Sequence, residues 1–92
     1  MSVSIVLPTP LREYAAGQKT VTVTGSTVGQ ALDALTAAYP DLRRHLYSED
    51  GRLRPFVNVY LGEEDVRYLR RGDTPLADGA TLSIVPSVAG GR

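Results

Sequence analysis

The chain of 92 residues contains no cysteine and no tryptophan, and it has a single histidine. The absence of cysteine excludes disulfides, thiolate metal sites and cysteine nucleophiles within the chain. The lone His45 leaves no catalytic triad to assemble, since no glycine-flanked nucleophile motif accompanies it. It stands beside Arg43 and Arg44, so we expect a solvated side chain rather than a base or a metal ligand.

An excess of charge of one sign is also missing, because ten basic side chains balance ten acidic ones. We therefore expect neither a nucleic acid nor a membrane surface as partner. No phosphate-binding loop is present, so we expect no cofactor on this chain and any ATP to be used by a partner enzyme. The first residues lack a cationic opening and a long apolar run, which predicts a cytoplasmic protein. The balanced surface is compatible with a monomer when free.

Alternation of apolar and polar residues predicts the strands of the protein. The predicted strands cover residues 3–7, 20–24, 55–61 and 80–86. The connection over residues 9–19 predicts a long hairpin loop, which would make the first two strands antiparallel. A charged segment predicts a further, short edge strand around Val66 and Tyr68.

One amphipathic helix is predicted between the second and third strands. Thr27 and Gln30 match a capping box, in which a threonine hydroxyl accepts a backbone N–H and the glutamine reaches back. Apolar residues at helical spacing follow until Pro40, and residues 41–47 predict a second, short helix. These elements indicate an α+β domain with a helix covering one face of a sheet.

The last residues carry the most specific pattern, Ala89-Gly90-Gly91-Arg92 after an apolar strand. Glycine has no Cβ, so such a segment can enter a slot too narrow for other residues. It is suited to presenting a carboxylate deep inside another protein. The alternative is an ordinary frayed terminus rich in small residues.

Four segments resemble a known family. They are residues 56–60, 64–67, 76–79 and 84–91. They are similar to the ubiquitin-like β-grasp sulfur carriers of the MoaD and ThiS superfamily, and in particular to CysO-type carriers. The resemblance implies a mixed sheet of four to five strands with one main helix packed on one face. It implies a β-grasp domain over residues 1–86 and a flexible Gly-Gly tail over residues 87–92.

The resemblance further implies a carrier rather than an enzyme. An E1-like enzyme would adenylate the Gly91 carboxyl group with ATP, and a sulfur donor would displace AMP to leave a thiocarboxylate. Ser87, Val88, Ala89 and Gly90 would thread into the partner enzyme, with a reach of at most about 17 Å when extended.

Arg92 departs from the family pattern, because it locks the Gly91 carbonyl in a peptide bond. We expect a metalloprotease of the JAMM type to remove it first, making Gly91 and Arg92 the processing site. The alternative is that Arg92 is a remnant of cloning.

The destination of the sulfur stays open at this stage. A cysteine synthase that depends on pyridoxal phosphate is the leading acceptor. Molybdopterin synthesis, with the carrier as the small subunit of a synthase, and thiosugar or other natural-product synthesis are alternatives. Two further classes are a ubiquitin-like modifier joined to lysine amines and a plain β-grasp interaction module.

A partner-binding patch is predicted on the sheet face that points away from the helix. It consists of Val6, Phe56, Tyr60 and Val85, which alternate with the expected core residues. Contiguous exposed apolar side chains of this kind mark an interface. The alternative is a set of scattered surface hydrophobes.

Overall fold

The computed structural model describes residues 2–55 and 57–86, with the side chain of Arg67 excepted. Within these residues the chain forms a mixed sheet of five strands in the order β2-β1-β5-β3-β4. The strands are β1 (Ser2–Val6), β2 (Thr20–Thr24), β3 (Val57–Leu61), β4 (Glu64–Asp65) and β5 (Ala80–Pro86). The first and last strands are parallel neighbours, and the other pairs are antiparallel. The predicted mixed α+β sheet is confirmed.

Strands β1 and β2 form because their apolar residues alternate with serine and threonine, and one face of each can be buried. Val3 and Ile5 are fully buried, and Val3 lies opposite Val23 in the antiparallel register. The connection contains a 3₁₀ helix over Thr9–Ala15 that the predicted hairpin loop did not include. Tertiary contacts explain this difference, since Ala15 is fully buried in the core.

Helix α1 covers Val28–Ala38 and begins at the predicted cap. The Thr27 hydroxyl accepts the Gln30 backbone N–H at 3.2 Å. The Gln30 side chain reaches one residue further back than a capping box requires, since its Oε1 accepts the Ser26 N–H at 2.9 Å. Val28 and Leu35 face the sheet and are almost completely buried.

The segment after α1 continues as a 3₁₀ turn over Pro40–Leu42 and the short helix α2 over Arg43–Leu46. The predicted second helix is thus confirmed as two short consecutive pieces. Leu42 and Leu46 are both fully buried, which anchors this segment to the core.

The short edge strand was predicted around Val66 and Tyr68, and this position is wrong. Strand β4 is only Glu64–Asp65, whereas Val66–Tyr68 forms a 3₁₀ turn. In a strand, Val66 and Tyr68 would point to the same face. The turn instead buries Val66 at 2% exposure and leaves Tyr68 83% exposed.

Strand β5 lies at the centre of the sheet, between β1 and β3. It starts after the predicted Asp78-Gly79 turn, where Gly79 has a φ of 86°, a value that glycine adopts without a steric cost. Leu82 and Ile84 are buried in the same core as the apolar residues of α1. In the described part of the chain, no helix is long and apolar enough to cross a membrane.

Candidate functional site

The end of the central strand is the point from which the Gly-Gly segment continues. Pro86 is the last described residue of β5, and it pairs with Val57 at the start of β3. The predicted tether residues, attachment point and processing site, Ser87, Val88, Ala89, Gly90, Gly91 and Arg92, lie outside the described residues. Their roles stay predictions. The structure shows where the covalent connection to them begins.

The sheet face away from α1 carries three of the four residues of the predicted partner patch. Val6 pairs with Ser83, and Ser83 pairs with Tyr60, so Val6 and Tyr60 flank the central strand on the same face. Val85 lies two residues after Ser83 on this face and is 44% exposed. Phe56, the fourth member, lies outside the described residues. The strand register brings Val6, Tyr60 and Val85 together, while their role in binding stays a prediction.

Asn58 is a polar residue of this face that the predicted patch omitted. It pairs with Val85 in the β3–β5 register, and it is only 7% exposed. Its position between the apolar members could have been inferred from the alternation along β3. Its burial could not, because burial depends on neighbouring elements.

A groove of about 480 Å³ lies at the end of β5, on the side of the sheet that faces the core. Its floor includes Val57 and Ile84, which belong to adjacent strands, and Pro86 lies at its edge. The remaining lining residues come from the Thr9–Ala15 turn, from α2 and from the loop before β3; they are Pro10, Leu11, Arg44, His45 and Arg54.

His45 is not the solvated side chain that the sequence predicted. Its ring stacks on Tyr14, with ring centroids 4.1 Å apart and planes inclined by 25°. In the described residues, Nε2 of His45 is buried and has no hydrogen-bond partner. The prediction failed because the stacking partner lies 31 positions earlier in the chain. No group of three histidine, cysteine or carboxylate residues in the described ranges is arranged to hold a metal ion.

The loop that precedes β3 is organised by polar contacts. Asp50 accepts hydrogen bonds from the Ser48 hydroxyl and, at 3.2 Å, from the Arg52 backbone N–H. These bonds favour the carboxylate and lower the pKa of Asp50 below its usual 3.8. Nearby, burial raises the pKa of Tyr47 above 10.0, with a further contribution from Asp33.

The strand order, with α1 packed on one face of a mixed sheet and β1 parallel to β5, defines a ubiquitin-like β-grasp protein. The crystal structure of CysO from Mycobacterium tuberculosis has the same fold, with a TM-score of 0.85 and 39% identity. The match covers 94% of this chain and 99% of the CysO chain. The predicted fold class is confirmed.

The model of the ThiS family matches residues 5–91, and the chain belongs to this family. The sulfur carrier protein CysO of Mycobacterium tuberculosis is 41% identical over 93 residues, covering 99% of this chain and all of the relative. Small archaeal modifier protein 1 of Haloferax volcanii is 37% identical over 84 residues, covering 83% of this chain and 86% of the relative.

These similarities confirm the predicted resemblance and define a CysO-like sulfur carrier protein. The relatives are named as carriers and modifiers, which agrees with the prediction of a carrier rather than a catalyst.

Proposed function

We propose that this protein carries sulfur as a thiocarboxylate on the carboxyl group of Gly91 and delivers it to a cysteine synthase. The observation that carries the proposal is its similarity to CysO over 99% of the chain, which extends into the segment that contains both glycines. The position of Pro86 at the end of the central strand supports it further. The covalent attachment of the following segment is therefore at the end of the sheet.

The proposed chemistry has three steps. A JAMM-type metalloprotease hydrolyses the peptide bond between Gly91 and Arg92 and frees the Gly91 carboxylate. An E1-like enzyme joins this carboxylate to AMP from ATP, with release of pyrophosphate. A sulfide-equivalent nucleophile then displaces AMP, so that one carboxyl oxygen leaves with AMP and sulfur takes its place. In this scheme the chain contributes the substrate carboxyl group and the surface that the enzymes grip.

Other sulfur acceptors are alternatives within the same proposal. CysO of Amycolatopsis orientalis has been crystallised in complex with BexX, and its structure matches this chain with a TM-score of 0.86 and 37% identity. This complex supports docking of our chain on an acceptor or activating enzyme as a folded unit. Acceptors in thiosugar, molybdopterin or other natural-product synthesis would take sulfur from the same thiocarboxylate. The partner enzyme would then differ, while the chemistry on this chain would stay the same.

Intact mass measurement tests the carrier function. The full chain and a version that ends at Gly91 are incubated with the organism's activating enzyme, ATP and a sulfide source. We expect only the version ending at Gly91 to gain the mass of one sulfur replacing one oxygen. A version ending at Gly90 is the matched control. A sulfur-loaded species that retains Arg92 would contradict the processing step, and no sulfur on the Gly91 version would contradict the carrier function.

A ubiquitin-like modifier is the second candidate, because modifier proteins of Haloferax volcanii are among the relatives. The product distinguishes the two functions. A modifier gives bands linked by isopeptide bonds to lysines of other proteins under denaturing conditions, whereas a carrier gives the thiocarboxylate alone. Deletion of residues 90–92 should abolish both activities, and a protein that keeps its function without them would be a plain interaction module.

A further inference from the structure

The groove beside Pro86 has a strong local imbalance of charge, although the whole chain is neutral. Arg44 and Arg54 both line it, and none of its described lining residues is acidic. The ion pair in the neighbouring loop joins Arg52 to Asp50 at 4.0 Å and involves neither arginine of the groove. Among the described residues, Arg44 and Arg54 have no carboxylate within ion-pairing distance.

The two arginines are held close to each other by the backbone of the fold. The Arg54 Nε donates a hydrogen bond of 2.9 Å to the carbonyl oxygen of Arg44. The Arg54 backbone N–H donates to the carbonyl oxygen of Leu46, which is fully buried, also at 2.9 Å. The Arg54 guanidinium is thus held beside the backbone of Arg44, and both arginines line the same groove without an acidic neighbour in its lining, which favours an external anionic group.

The apolar residues of the groove are held in place by packing against the rest of the fold. Val57 and Ile84 are at most 7% exposed and belong to adjacent strands of the sheet. The His45 ring, stacked on Tyr14, supports the side formed by α2. An apolar floor with two arginines at its rim fits a peptide segment that has both an apolar and an acidic side chain.

The position of the groove next to Pro86 indicates which kind of partner would occupy it. Pro86 lies at its edge, and the chain continues from Pro86 toward Gly91. An enzyme that holds the Gly91 carboxyl group therefore works within about 17 Å of Pro86, the span of five extended residues. Arginine binds carboxylates through two parallel hydrogen bonds, and fixed positive charge speeds the association of acidic surfaces.

We infer that the groove formed by Arg44, Arg54 and the end of β5 docks an acidic segment of the enzyme that activates Gly91. The inference rests on the proposed function. It adds a second contact surface, because the groove lies on the core-facing side of the strand end and the patch of Val6, Tyr60 and Val85 lies on the other side. The enzyme would then hold the strand end from both sides.

Charge reversal at Arg44 tests this inference in the activation reaction. The probe is the organism's activating enzyme, and the substrate is the chain ending at Gly91, whose sulfur gain is followed by intact mass. We expect Arg44→Glu to raise the KM for the carrier about tenfold while kcat stays within about twofold. Arg44→Lys, which keeps the charge, should restore most of the affinity.

Arg70→Glu is the matched control, because Arg70 is also exposed and does not line the groove. It applies the same change of charge, and its KM should stay near that of the unmodified carrier. A far-ultraviolet circular dichroism melt checks that each variant is folded. We also expect the KM of the unmodified carrier to rise with salt more steeply than that of Arg44→Glu.

The outcomes separate the two proposals. If the unmodified carrier gains sulfur and Arg44→Glu has the same KM as Arg70→Glu, the acidic docking site is wrong and the carrier function stands. If the unmodified carrier ending at Gly91 gains no sulfur, the carrier function fails and the docking inference fails with it.

Discussion

The backbone N–H of Ser2 donates a hydrogen bond of 2.7 Å to Oδ1 of Asp78, across 76 positions of the chain. The adjacent Gly79 N–H donates to the carbonyl oxygen of Ser2, also at 2.7 Å. Together these bonds join the first residue of β1 to the turn that precedes β5. They hold the two parallel strands in register at the end of the sheet opposite Pro86.

We therefore expect Asp78→Ala to lower the free energy of unfolding by about 1 kcal/mol, because one long-range hydrogen bond is lost at an exposed site. The measurement is urea unfolding followed by circular dichroism. Glu63→Ala is the matched control, since Glu63 is exposed in the turn between β3 and β4 and its side chain makes no hydrogen bond to any described residue. Equal midpoints for the two variants would show that the Ser2 bond contributes nothing to stability.

Most of the fold could be predicted from the sequence because its elements have strong local patterns. β2 alternates threonine with valine, and α1 carries an apolar stripe between Thr27 and Pro40. β4 could not be placed, because two residues, Glu64 and Asp65, are too short to show a period. Their pairing is decided by contact with β3 instead.

The candidate site could be predicted only in part. Alternation along β1, β3 and β5 was sufficient to place Val6, Tyr60 and Val85 on one face, because side-chain direction in a strand follows residue number. The groove could not be predicted. It brings Pro10, Arg44 and Pro86 together from distant parts of the chain, and nothing in the local sequence specifies their approach.

The cap of α1 gives a second stability prediction. The Thr27 hydroxyl accepts the N–H of Gln30, so Thr27→Ala leaves one backbone donor without its partner. We expect a loss of about 1 kcal/mol in the free energy of unfolding. Thr27→Ser keeps the hydroxyl and should retain most of this stability in the same thermal or urea melt. A Thr27→Ala variant as stable as Thr27→Ser would contradict a contribution from the cap.

The loop before β3 gives a prediction about pH. The hydrogen bond from the Ser48 hydroxyl, and then that from the Arg52 N–H, lower the pKa of Asp50. Because the folded-state pKa is depressed, the stabilisation is present above the unfolded value near 3.8 and is lost as pH falls through the lower folded value.

Titration of the Asp50 carboxyl carbon by NMR measures this shift directly. We expect its midpoint below 3.8 in the unmodified protein and closer to 3.8 in Ser48→Ala. Ser26→Ala is the control, since Ser26 bonds to Gln30 and not to this loop. Equal midpoints in the unmodified protein and in Ser48→Ala would show that the Ser48 bond does not lower the pKa of Asp50 in solution.

The outer face of the sheet gives the last prediction, which concerns binding. Tyr60 is half-buried beside Ser83 of the central strand, whereas Tyr68 is 83% exposed in a separate turn. If the patch of Val6, Tyr60 and Val85 contacts the activating enzyme, Tyr60→Ser should raise the KM for the carrier about tenfold. Tyr68→Ser removes the same ring at a site outside the patch and should leave KM near its original value. Tyr60→Phe keeps the packing of the ring and separates a loss of contact from a loss of folding. A KM that is equal in Tyr60→Ser and Tyr68→Ser, with both variants folded, would remove this face from the interface and leave the end of β5 as the surface that the enzyme recognises.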